Sequence, residues 1–247
     1  MDHKAEFIRI LNTVRRDGIQ ELIKFLEGSD FFRAPCSTKF HLCRPGGLVE
    51  HSLTVYHLLF EKYDHLRFVD FCNRPKIEID RDSIIIAGLL HDVCKIDFYK
   101  EGGESATPAQ ISYLSKLYPL ARDVFKQNLP DIKTLCKEHA SILIDWLKNR
   151  PSEPMPELPV TYSVDDNFPL GHGEKSVSII QEYIRLTPEE RLAIRWHMGA
   201  FGLSYGDMTV FREAQKIPLV TLLHTADLEA SNILEAERNE GKDFGKA

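Results

Sequence analysis

The chain has 247 residues, a length that suits one large domain or two small ones. Apolar residues make up 43% and charged residues 28%, a balance that excludes wholesale disorder, a collagen-like chain and a membrane bundle. The net charge of −6 argues against a surface that wraps a nucleic-acid backbone, which needs a basic face, although a local basic pocket is compatible with it.

Taken in chain order, Phe7, Ile10, Leu11 and Val14 fall on one helical stripe, continued by Ile19, Leu22, Ile23 and Leu26. Pro35, Pro45 and Gly46-Gly47 make 31–47 a connection. A helix is expected from Leu48 to Tyr63. Asp80-Arg81-Asp82-Ser83 supplies helix-capping residue types to the run Ile84–Leu90, which is apolar all round and should be the buried central helix. Further helices fit 108–117, 119–128, 132–148, 175–185, 188–197 and 216–238. The one at 188 has Thr187, Pro188 and Glu190 in the order of a capping box. Residues 151–170 hold five prolines and read as an ordered loop with a short hairpin at Val160–Val164. The tail Asn239–Ala247 should fray. These elements predict an all-α fold in a single domain over 1–247, with helices in 1–45 ahead of a core at about 46–230.

Five cysteines (Cys36, Cys43, Cys72, Cys94, Cys136) are widely spaced and form no CxxC pair. They suggest free thiols in a reducing cytoplasm rather than a zinc ribbon or disulfide framework. Met1–Glu6 is charged and lacks a signal-peptide core, and Ile84–Leu90 is far short of the ~20 residues that span a bilayer. A soluble cytoplasmic protein with no membrane partner is expected.

Histidines and aspartates fall at the ends of these helices. His91-Asp92 terminates the most apolar helix, where two adjacent ionisable groups are costly unless paired or bound to a metal. His51 sits one turn into the helix after Gly46-Gly47, His172 lies between two glycines, and His197 ends the capped helix. Asp227 lies within the apolar stretch Leu222–Asp227. Imidazole and carboxylate donors together suit zinc, iron, manganese and similar divalent ions.

At these residues the sequence resembles the HD-domain metal-dependent phosphohydrolases. The matching pieces are Gly46-Gly47-Leu48-Val49-Glu50-His51-Ser52, Leu89-Leu90-His91-Asp92-Val93-Cys94-Lys95 and Leu223-His224-Thr225-Ala226-Asp227, in the family's order H…HD…D. The resemblance implies a compact helical bundle in which His51, His91, Asp92 and Asp227 hold a first metal. Gly171-His172-Gly173 and His197-Met198-Gly199 match the members that hold two metals. There His172 and His197 would hold the second ion and Asp92 would bridge both. Lys95 would lie beside a substrate phosphate, and Arg44 is a further candidate to reach substrate. The chain is also similar to the HD portion of certain 3′-to-5′ exoribonucleases. Val93-Cys94 departs from the Ile-Gly that relatives often carry, a change that should not touch the metals.

Each of these residues has a plainer role open to it. His51 could pack on a carbonyl, His172 could belong to a simple turn, and His197 or Lys95 could neutralise a helix C-terminus. Arg44 could be a solvated loop arginine. His224 suits a packing role behind Asp227. Glu50, Asp165-Asp166, His3, His41, His57, His65 and His139 read as surface or structural residues. The six ligands taken together, in order, favour the metal reading.

The activity the resemblance implies is hydrolysis of a phosphomonoester or phosphodiester by metal-activated hydroxide, with Asp92 and Lys95 as the catalytic pair. One or two divalent ions (Mn, Fe, Zn, Ni, Co or Mg) would serve it. The acidic total favours a nucleotide or a short single-stranded nucleic acid as substrate. A di-iron oxygenase resembling myo-inositol oxygenase would use the same ligands, and a metal-stabilised binding module would need no catalysis.

Overall fold

The computed structural model describes residues 2–68, 77–126, 128–149 and 153–236. Cys72, positions 151–152 and 237–238, and the tail expected to fray lie outside the described residues. Helices dominate: α1 (His3–Leu11), α2 (Ile19–Gly28), α3 (Gly47–Phe68), α4 (Arg81–Leu90), α5 (Pro108–Leu117), α6 (Asp123–Lys126), α7 (Lys137–Asn149), α8 (His172–Gln181), α9 (Pro188–Trp196), α10 (Tyr205–Ala214) and α11 (Pro218–Glu229). Strands β1 (Tyr99–Glu101) and β2 (Tyr162–Val164) form one small antiparallel pair. The fold is all-α, as the periodicity predicts.

The chain groups into two compact units, one from 1–98 with 166–247 and the other from 99–165. The larger unit is centred on α4. Every residue from Ser83 to Leu90 is buried, and Asp80 caps the helix by accepting from the Asp82 N–H at 3.1 Å. Burial of each Ile or Leu there contributes roughly 1.5–3 kcal/mol. The helix lies tight against α3 because Gly88 has no side chain; a Cβ on it would stand 2.8 Å from the Tyr56 Cα. That close approach puts the C-terminal end of α4 beside the first turns of α3.

One buried carboxylate ties three parts of this unit together. Glu190 completes the capping box of α9 with Thr187. Its Oε1 also accepts from Arg16 Nη2 and Ser83 Oγ, each at 2.6 Å, and its Oε2 accepts from Arg16 Nη1 at 3.1 Å. The α1–α2 connection, the start of α4 and the start of α9 therefore share one ion-pair network. The sequence shows the capping box but not the arginine, 174 residues away.

The smaller unit packs α5 and α7 around Leu114, Leu143, Trp146 and neighbouring apolar side chains. Its strands correct one expectation. Residues 160–164 form no hairpin of their own, because Tyr162–Val164 pairs with Tyr99–Glu101. Other bounds also move. The expected 119–128 helix is a 3-10 turn at Tyr118–Leu120 and the short α6, and 132–148 is broken between a 3-10 turn at Ile132–Thr134 and α7. Helix α8 begins three residues early, at His172, and α10 had not been expected. The last helix leaves α geometry for a π-turn over Ala230–Leu234.

A candidate metal centre at the ends of five helices

All six expected ligands lie in the larger unit, and the fold brings them together. His91 caps the C-terminus of α4 with Asp92 next to it, and His197 caps that of α9. His172 opens α8, His51 lies in the early turns of α3, and Asp227 is on the buried side of α11. Gly46-Gly47 is required for His51 to reach its place. Gly46 has φ +78°, and a Cβ on Gly47 would stand 2.1 Å from the Leu42 carbonyl oxygen.

Asp92 is the hub. Its Oδ1 is 2.7 Å from His172 Nε2 and 3.3 Å from His197 Nε2. Its Oδ2 is 3.7 Å from both His51 Nε2 and His91 Nε2, and 2.6 Å from Lys95 Nζ. His51 Nε2 is in turn 3.2 Å from Asp227 Oδ1 and 3.3 Å from His91 Nε2. All of these side chains except that of His172 are buried or nearly so.

The imidazoles are anchored from behind. His91 Nδ1–H donates to the Gly88 carbonyl at 2.9 Å, and His197 Nδ1–H donates to that of Ile194 at 2.6 Å. His51 Nδ1–H donates to Glu235 Oε2 at 2.8 Å. In each ring this fixes the tautomer and leaves Nε2 aimed at the cluster, the arrangement in which histidine serves as a metal ligand. His224 acts one step further out: its Nδ1–H donates to the His197 carbonyl at 2.7 Å.

The charges press on one another. Burial raises the Asp92 carboxyl, but Lys95, His91 and His172 outweigh it and hold the group well below the carboxylate range. Asp227 likewise resists burial and is held low by His51. Burial lowers His91 to about 3, so its ring is neutral. His51 is raised well above 6.5: burial opposes this, and Cys36, Asp227 and Glu235 override it. His197 is raised by Asp92 against the same penalty.

The donor set fits a divalent cation. The buried Nε2 of His197 has no hydrogen-bond partner among the described residues, although it points at a carboxylate. Such an orphan is costly unless something else occupies its lone pair. Two overlapping groups, His51 with His91 and Asp227, and His91 with Asp92 and His197, each place their donor atoms within 4.8 Å of one another. Asp92, His172 and Cys94 make a third such group, which corrects the expectation that the Val93-Cys94 departure leaves the ligands untouched: Cys94 Sγ is 3.4 Å from His172 Nδ1.

Other expectations fare differently. Lys95, expected beside a substrate phosphate, is buried with its Nζ against Asp92. Arg44 pairs with Glu50 at 2.5 Å on a half-exposed edge. Asp166 is more than a solvated loop residue, since it accepts from the buried Lys175 Nζ at 2.7 Å. His57 pairs with Glu6 on the surface. His41, read as structural or surface, lies beside His51 with ring centroids 5.1 Å apart and the rings tilted by 49°. Cys36, His41 and Glu235 are the neighbours of the site that sequence reasoning missed. No motif marks them, because a loop and a π-turn deliver them.

In this helical fold His51, His91-Asp92 and Asp227 converge in the order H…HD…D into a group that could hold a metal ion. Residues 48–152 match a family model described as the HD domain, which supports the HD family for this chain. That stretch contains His51, His91 and Asp92; His172, His197 and Asp227 lie beyond it. No curated protein and no solved structure matches the chain. Among the described residues no helix is long and apolar enough to cross a membrane.

Proposed function

We propose that this chain is a metal-dependent phosphohydrolase acting on a small phosphorylated substrate, a nucleotide or short oligonucleotide. The observation that carries this reading is the division of Asp92, whose Oδ1 faces His172 and His197 while its Oδ2 faces His51, His91 and Lys95. A carboxylate so placed suits a bridge between two ions. His51, His91, Asp92 and Asp227 would hold one, and Asp92, His172 and His197 the other. A bound divalent ion supplies Lewis acidity toward phosphoryl oxygens and lowers the pKa of its water from 15.7 toward ~7.

The residues of the chain do the rest. Lys95 keeps its ammonium at the mouth of the cluster, only slightly exposed, where it can bind a phosphate oxygen and offset negative charge growing there. The apolar α4 behind His91 keeps water out and leaves the interactions in a low-dielectric setting. His172, a third exposed, is the ligand closest to solvent and borders the route by which substrate would arrive. The acidic net charge favours a short substrate over a long polymer.

The test is a metal-by-substrate screen of the purified chain. Chromogenic phosphomonoesters, phosphodiesters and nucleotides are each offered with Mn, Fe, Zn, Ni, Co and Mg, with oxygen uptake followed alongside. Metal-dependent phosphate or nucleotide release supports the reading. Oxygen consumption without hydrolysis overturns it in favour of an oxygenase.

A further inference from the structure

Beside His51 stand three side chains outside the H…HD…D set: Cys36, His41 and Glu235. The 36–43 loop is built to bring two of them together. Ser37 Oγ accepts from the Phe40 and His41 N–H groups at 2.9 and 3.1 Å, and the Cys36 N–H donates to the Leu42 carbonyl at 3.1 Å. This tight turn folds His41 back onto Cys36, leaving Sγ and Nε2 3.2 Å apart. A backbone bridge from His41 to Ala236 then fastens the loop to the chain that follows the π-turn. Glu235 is delivered there, its Oε2 2.8 Å from His51 Nδ1 and 3.9 Å from His41 Nε2.

We infer that Cys36, His41, His51 and Glu235 form a cation site distinct from the HD cluster, sharing His51 with it and suited to a borderline-soft divalent ion such as Zn2+. Three of the donors already lie within 4.8 Å of one another. Zinc bonds of about 2.3 Å to sulfur and ~2.0 Å to nitrogen, meeting at a tetrahedral angle, place those two atoms roughly 3.5 Å apart. The observed 3.2 Å needs only a small opening. A second feature points the same way: Glu235 Oε1 is buried and has no hydrogen-bond partner among the described residues. A buried carboxylate oxygen in that condition fits a cation better than an empty corner. One thiolate and one carboxylate together offset a divalent charge; the Lys95 ammonium, which donates to Cys36 Sγ at 3.4 Å, would give up that contact to the ion and keep its bond to Asp92. The two ring nitrogens of His51 face opposite ways, Nε2 to Asp227 and Nδ1 to Glu235, so His51 would serve both sites as a bridging imidazolate, the Nδ1 proton now shared with Glu235 being released to solvent. Thiolate and imidazole favour zinc, cobalt or iron over magnesium or calcium.

The inference does not rest on the phosphohydrolase reading, and its test reads no hydrolysis. The full chain is stripped of metal and reloaded with Co2+, and its near-ultraviolet absorption is recorded with the bound cobalt. A sulfur-to-cobalt charge-transfer band is expected, and Cys36→Ser should abolish it and remove one equivalent of cobalt. His41→Ala should weaken this cobalt binding about 10-fold or more. Cys94→Ser and Asp92→Asn should keep the band. Absence of a sulfur band in the wild-type chain, or its survival in Cys36→Ser, overturns the site. Loss of the band in Asp92→Asn would make Cys36 part of the HD cluster and overturn a distinct site.

Discussion

Lys95 Nζ stands 2.6 Å from Asp92 Oδ2, one 3-10 turn along the chain from the residue it neutralises. The ammonium therefore faces the same carboxylate oxygen as His51 and His91, and the proposed reading has it meet the substrate phosphate there. Replacing Lys95 with Met removes this charge at little cost in volume. The expected result in steady-state kinetics is a fall in kcat of about 10²–10³, as for loss of one donor to a developing oxyanion. Metal content should be retained. Lost metal with unchanged turnover per bound ion would reduce Lys95 to a partner of Asp92.

Metal uptake should release protons. In the metal-free chain the His51 pKa is raised well above 6.5 because Cys36, Asp227 and Glu235 outweigh its burial, so the ring is protonated at neutral pH. That raised value stabilises the metal-free fold fully below pH 6.5, and the contribution fades as pH rises from there through the raised pKa. A metal needs the lone pair the proton holds, so affinity should climb with pH over the same interval. His91, lowered to about 3, has no proton to give. Titration calorimetry at pH 7 in buffers of different ionisation enthalpy should show proton release on binding. Binding heats that do not vary with buffer would contradict it.

Gly88 sets the spacing of the two helices that carry His51 and His91. Gly88→Ala forces α3 and α4 apart, because the new methyl meets the Tyr56 backbone rather than a side chain that can swing away. A cost of about 1–3 kcal/mol is expected in denaturant unfolding, the usual penalty for overpacking. The same shift moves the His91 ring through its bond to the Gly88 carbonyl, so metal affinity should fall as well.

Much of this site could be read from the sequence, and the reason is local. Five of the six candidate ligands sit near a helix end or a glycine break, Asp227 is marked instead by its place in the order H…HD…D, and the apolar run 84–90 identifies which helix must be central. What escaped reading depends on contacts between distant segments. Glu235 reaches His51 across 184 residues, and only because the last helix shifts into a π-turn that its apolar period does not reveal. Cys36 and His41 are carried by a loop whose turn is closed by Ser37, a residue with no pattern around it. The strand at 162–164 was placed correctly in the chain but given the wrong partner, since its mate at 99–101 lies beyond the reach of any hairpin rule.

The central claim is that Asp92 joins two groups of histidines into one hydrolytic metal centre. Its most direct test measures bound metal and phosphoester hydrolysis together in the wild-type chain and in Asp92→Asn, which keeps the shape and removes the charge. The account predicts metal-dependent hydrolysis in the former, and loss of both hydrolysis and the metal of the HD cluster in the latter. Wild-type levels of both in Asp92→Asn would contradict it.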